Sequence, residues 1–170
     1  SEVLKDVGAN SALAWEGTRL TKKGDGALIL SAGNTYGGGT TIEGGTLQFG
    51  GGAVAANTLG GNIQVAGGAT LAIQTPATVS VAGDVMFQSG ARLTLRDVQT
   101  ADSPSGAMLA DKAVIGNDVT LNLVGGGSAV KNKVLFSTRN GIEGDFASIT
   151  WGGADDNRLD YLTWITRKSA

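Results

Sequence analysis

The stretch GALILSAGNTYGGGTTIEGGTLQF, Gly26 to Phe49, leaves the chain little choice but short strands. Gly33, Gly37, Gly38, Gly39, Gly44 and Gly45 interrupt its apolar and β-branched runs before a helix of ordinary length can form. Each would cost about 1 kcal/mol relative to alanine in a helix interior, whereas glycine suits the tight turns between strands. The order is an apolar run through Leu28, Ile29 and Leu30, a polar glycine-rich turn, a β-branched run, a double glycine and a second apolar run. It predicts three short strands, with the residues from Gly33 to Gly39 forming a turn.

The same grammar continues downstream. Period-2 spacing pairs Ile63 with Val65, Leu71 with Ile73, Val79 with Val81, Val85 with Phe87, and Leu93 with Leu95, and it joins Val119, Leu121 and Leu123. Each set falls on one face of a strand. One leucine taken from each of five successive runs, Leu28, Leu47, Leu71, Leu93 and Leu121, gives spacings of 19, 24, 22 and 28 residues. A loose repeat of this length with short strands matches the coils of a β-solenoid, in which successive coils stack along an axis and pair in parallel. An antiparallel sandwich is the alternative for residues 11 to 97, since it too uses short strands between turns.

The 28 glycines, two prolines and 41% hydrophobic residues describe an ordered, turn-dense β protein rather than a disordered one. Formal charge is −2 and the basic residues are scattered, so nucleic acid has no electrostatic footprint and is not an expected partner. Lys22-Lys23 and Arg167-Lys168 read as pairs on a solvated face. Ser1 to Asn10 lacks the apolar centre of a signal peptide, and no apolar run approaches about 18 residues. The expectation is a piece of a larger precursor whose signal lies upstream.

Trp15-Glu16-Gly17, Leu20-Thr21-Lys22, Gly24 and Gly26 precede Leu28-Ile29-Leu30-Ser31, Asn34-Thr35-Tyr36, Gly38, Thr40-Thr41 and Gly45-Thr46-Leu47-Gln48. In this order and spacing they resemble the strand repeat associated with autotransporter passengers of Gram-negative bacteria. The order VLFSTRNGIEGDFASITW followed by LDYLTWI resembles the final passenger segment, the autochaperone region, which in that family lies just before an outer-membrane β-barrel. The resemblance implies a right-handed parallel β-helix, all-β, with solenoid coils over residues 1–106 and an aromatic-rich C-terminal β cap continuing the solenoid over 107–170.

Chemistry has few candidates. With no histidine and no cysteine, Ser-His-Asp and Cys-His arrangements, the usual zinc sets and disulfides are all excluded. Asp155-Asp156 are neighbours in Gly-Gly-Ala-Asp-Asp-Asn and suit a tight turn, whereas a glycosidase holds two carboxyls across a cleft. Acidic spacing suited to a calcium loop is missing. Gly50 to Ala55 follows a strand and spells a dinucleotide fingerprint, but Gly60 and Gly61 forbid the helix it needs. No catalytic residue, cofactor or metal is expected, and Trp15 reads as a stacked or capping ring.

The informative residues lie at the other end. Phe136, Phe146, Trp151, Tyr161 and Trp164 are five of nine aromatics, and Val134, Ile149, Leu162 and Ile165 accompany them. Large aromatics bury the most area per residue, so this end can close an interior that glycine-rich coils leave thin. These nine residues are the candidate folding nucleus and cap of a non-catalytic autochaperone segment. Under the resemblance its partners are its own upstream coils and a downstream outer-membrane β-barrel, and its location is the bacterial cell surface, reached through the periplasm. The alternative is an adhesin or self-association surface on a solenoid stalk, with a host-cell or self partner and the polar excursion Gln99 to Gly106 as a contact loop.

Overall fold

The fold follows from a computed structural model, which describes residues 18–51, 53–96, 106–125, 134–151 and 154–155. The chain winds in coils of three strands. The first coil holds β1 (Leu20–Lys22), β2 (Ala27–Leu30) and β3 (Thr35–Tyr36), and the second β4 (Thr40–Ile42), β5 (Thr46–Phe49) and β6 (Ala56–Leu59). The third holds β7 (Ile63–Val65), β8 (Thr70–Gln74) and β9 (Thr78–Val81), and the fourth β10 (Val85–Phe87), β11 (Arg92–Arg96) and β12 (Met108–Ala110). Then come β13 (Ala113–Ile115), β14 (Thr120–Val124) and β15 (Phe136–Thr138), followed by β16 (Ile142–Glu143), β17 (Ser148–Trp151) and β18 (Ala154–Asp155).

Corresponding strands form three sheets: sheet 1 in the order β1-β4-β7-β10-β13-β16, sheet 2 in the order β2-β5-β8-β11-β14-β17-β18, and sheet 3 in the order β3-β6-β9-β12-β15. Among the described residues, every strand-to-strand pairing between coils is parallel, and β17–β18 is the one antiparallel strand pair. The architecture is a parallel β-helix, and the sandwich alternative falls, because a sandwich would pair neighbouring strands of the sequence with each other. The five marker leucines stack on one another in register, Leu28 on Leu47, Leu71, Leu93 and Leu121, and the row ends at Ile149. Each alternating pair read from the sequence points inward, and all of its members are buried.

Three expectations need correction. The stretch Gly26 to Phe49 contains four strands, because Thr35–Tyr36 forms the third side of the first coil where a turn was expected. Two residues suffice there: Thr35 and Tyr36 pair with Thr58 and Leu59, and the Tyr36 ring is buried. Asp155, expected in a turn, lies in β18 opposite Thr150. Lys22, expected on a solvated face, occupies an inward position above Ile42 and is 7% exposed. Alternation from Leu20 puts it there, and its ammonium survives burial by donating to three carbonyls, Lys23 O at 2.8 Å, Gly24 O at 2.7 Å and Gly44 O at 3.0 Å. Lys23 stays in solvent beside Glu43.

Close stacking explains the glycines at one corner in particular. Gly45 has φ +63°, and a Cβ there would meet Gly26 O at 2.3 Å, so the coil can turn beneath its neighbour only with hydrogen at that position.

The interior changes chemistry along its axis. The buried polar side chains of the interior rows, Lys22, Asn34, Thr40 and Asn57, belong to the first two coils. From the third coil on, the inward strand positions are Val, Ile, Leu, Phe, Ala and Met until Thr138. The Tyr36 hydroxyl and Thr40 Oγ1 share a 2.7 Å hydrogen bond. Burial pushes the Tyr36 phenol up to about 12, the Thr40 bond opposing it in part. The folded value lies above the unfolded value of about 10, so this contribution to stability is complete below pH 10 and is lost as pH rises towards 12. Tyr36→Phe is expected to cost about 1 kcal/mol at neutral pH and to flatten this alkaline loss, as measured by urea denaturation at pH 8 and pH 11. An unchanged difference between wild type and variant across that range would refute the assignment.

Candidate functional site

The candidate segment begins after the fourteenth strand. Phe136 opens β15 in register with Met108 of β12, so its ring continues the inward row that starts at Asn57 and runs through Val79 and Met108. Phe146 arrives from the turn between β16 and β17. Its backbone N–H donates to Asp145 Oδ1 at 2.8 Å, which holds the turn. The two buried rings meet edge to face, with centroids 6.1 Å apart and planes at 89°. This is the favoured quadrupole arrangement, worth about 0.5–1.5 kcal/mol beyond the area buried.

Ile149 follows on β17, stacked on Leu121 and packed against the same core. Trp151 is the last residue of β17, in register with Leu123, and β18 folds back on this strand so that Trp151 opposes Ala154. Val134 departs from the expectation: it is 45% exposed, two residues ahead of β15, and lines no interior. Tyr161, Leu162, Trp164 and Ile165 lie outside the described residues. Of the nine candidates, the structure therefore brings Phe136, Phe146 and Ile149 to the core and places Trp151 at the end of β17.

One contributor escaped the sequence reading. Arg139 sits at the corner after β15, where its backbone N–H donates to Ala110 O at 3.1 Å and to Asp111 O at 3.0 Å. Its Nη1 reaches back to Val81 O at 3.1 Å, in the third coil. The next residue, Asn140, donates from Nδ2 to both carboxylate oxygens of Asp111, at 2.9 and 3.0 Å. One corner thus ties the start of the sixth coil to the fourth and third. Earlier turns at this corner include Gly37-Gly38-Gly39 and Gly60-Gly61-Asn62, and at the second of them Asn62 Oδ1 accepts from Asp84 N at 3.0 Å, linking two coils. The signal in the sequence is this replacement of glycine by Arg-Asn, legible only once the corners are aligned.

Among the described residues, no group of three or more Asp and Glu side chains is placed to hold a metal ion. Gly50 to Ala55 runs into the strand β6 rather than a helix, so it offers no helix N-terminus to a phosphate.

Comparison with known proteins adds one finding. Residues 20–49 match the passenger-associated-transport-repeat, a repeat found in autotransporter passengers. The matched residues run from β1 to β5, which is one complete coil and two strands of the next. No curated protein and no solved structure matches the chain.

Proposed function

We propose that the chain is a non-catalytic segment of an autotransporter passenger whose C-terminal coils, from about Ala107 onward, nucleate and cap the folding of the β-helix at the cell surface. The observation that carries this reading is the axial gradient of the interior: buried amide, ammonium and hydroxyl groups in the first two coils, uninterrupted apolar rows in the middle coils, and the Phe136–Phe146 pair beyond them. A solenoid coil is supported mainly by its neighbours, so growth is easy on an ordered coil and the first coil is the hard step.

Ordering costs roughly 1–2 kcal/mol per residue, and a glycine-rich coil with small side chains cannot offset that alone. The fifth and sixth coils, with two large rings, Ile149 and the Arg139 corner between them, recover more per residue, because each large apolar side chain contributes about 1.5–3 kcal/mol on burial. Vectorial folding from that end then adds β11, β8 and β5 in turn on an edge already in place. In the parent protein, the partners of this segment are the upstream coils it templates and an outer-membrane β-barrel downstream.

The test is removal of residues 134–170 from the secreted precursor, followed by protease challenge of intact cells. Protease-resistant passenger at the surface is expected to fall about tenfold, since coils lacking an ordered end stay open to cleavage. Full resistance and display after the deletion would end the proposal.

A further inference from the structure

Asn140-Gly141, at the corner between β15 and β16, is the one place in the chain where glycine follows asparagine. Asn140 is exposed, and Gly141 has φ +99° with no atom within 4 Å of where a Cβ would stand. The Gly141 carbonyl accepts from Ala113 N at 3.2 Å, but its own N–H donates to no carbonyl among the described residues. An asparagine carboxamide can react with the next backbone nitrogen where that nitrogen is uncrowded and unbound. Gly141 meets both conditions, because it has no side chain to shield the approach and no ladder bond to give up.

Asn62, at the same corner of an earlier coil, is exposed as well, and its Oδ1 accepts from Asp84 N at 3.0 Å. The residue after it is Ile63, β-branched and fully buried, with its N–H donated to Asp84 O at 2.8 Å. That nitrogen is screened by its own side chain, and an attack from it would break a bond between coils.

We propose that Asn140-Gly141 is a self-modifying site at which the Gly141 nitrogen attacks Asn140 Cγ and ammonia leaves. The N–Cγ bond forms as the Cγ–Nδ2 bond breaks, and the proton of the attacking nitrogen passes through solvent to the departing ammonia. Water then opens the succinimide ring at one carbonyl or the other. One opening gives an aspartate, and the other an isoaspartate, which routes the chain through the side chain and adds one backbone atom. The balance is asparagine plus water to aspartate plus ammonia, with no oxidant, reductant or cofactor.

The product changes the corner because of what Asn140 does before it reacts. Its Nδ2 donates to both carboxylate oxygens of Asp111, at 2.9 and 3.0 Å. An ionised carboxylate in its place has no proton to donate and carries the same charge as Asp111, so attraction becomes repulsion. The ammonium of Lys112, next in the chain, is engaged by Glu143. Isoaspartate also lengthens the run to Ile142, which pairs with Ala113. The corner is therefore fastened when the coil has just folded and released as the protein ages, whatever the order in which the coils fold.

Peptide mass spectrometry of the 170-residue chain, incubated at mildly alkaline pH and body temperature, reads the reaction. A gain of about 1 Da at Asn140 is expected, the difference between an amide and an acid, accumulating at least about tenfold faster than at Asn62. Asn140→Asp imitates one product. In it the Arg139 and Ala113 amide hydrogens, both bonded across this corner, are expected to exchange about tenfold faster than in the wild type. Asp111→Asn/Asn140→Asp swaps donor and acceptor and is expected to bring exchange back to within about twofold, which general damage to the corner would not do. If Asn140→Asp fails to fold, the exchange measurement is made on aged wild type instead. Conversion at Asn140 no faster than at Asn62, exchange unchanged by Asn140→Asp or by ageing, or a swap variant that fails to fold or exchanges as fast as the single one would each overturn the inference.

Discussion

Phe136→Ala is expected to destabilise the chain by about 3–5 kcal/mol, measured by urea denaturation at neutral pH. The ring is 7% exposed and fills the inward row above Met108, so its removal leaves a cavity with walls held in place by backbone pairing. It also deletes the edge-to-face partner of Phe146. A double-mutant cycle with Phe146→Ala should return about 0.5–1.5 kcal/mol of coupling between the two rings. The substitution tests the gradient as well as the contact. If the C-terminal coils are the most stable part of the solenoid, weakening them lowers the stability of every coil stacked upon them, and hydrogen exchange should quicken in β8 and β11 as well as in β14. A loss below about 1 kcal/mol, or faster exchange confined to β15, would show that this ring supports only its own coil.

How far the sequence announces this depends on which force sets each feature. The leucine row was legible because burial on one face of a strand writes a period of two, and stacking repeats the strand at coil intervals. That row and the glycine turns left a solenoid and a sandwich both open, and the resemblance to the passenger repeat favoured the parallel β-helix that the pairing then shows. Thr35–Tyr36 was not legible, because a two-residue strand between Asn34 and Gly37 has no room to alternate, and only pairing with Thr58 and Leu59 makes it a strand. Lys22 misled for a different reason. Its charge argued for solvent, and the carbonyls that satisfy it come partly from Gly44, 22 residues away. At the candidate site, aromatic clustering singled out Phe136 and Phe146, whose rings are buried, while Arg139 was hidden because its contacts are to carbonyls of other coils.

Asn57→Leu is expected to give a different pattern of failure. Asn57 Oδ1 accepts from Asn34 N at 3.0 Å and from Asn34 Nδ2 at 2.8 Å, and Asn57 Nδ2 donates to Thr78 O at 3.0 Å. Asn57 is 1% exposed and Asn34 fully buried, so leucine, of similar length but without polar atoms, removes the acceptor of two donors where water cannot replace it. At about 1–3 kcal/mol for each group left unmatched, less what the added apolar surface returns, the expected loss is about 2–4 kcal/mol. It should fall on the first two coils. The third coil and those after it have apolar interior rows and keep their own neighbours, so unfolding is expected to split into two steps, with β2 and β5 exchanging before β11 and β14. Phe136→Ala loosens the stack from the other end and should not produce that early N-terminal step. If both variants unfold in a single step with the same order of exchange, the coils share one cooperative core. The chemical gradient along the axis would then carry no gradient of stability, and the case for templated growth from the C-terminal coils would lose its physical basis.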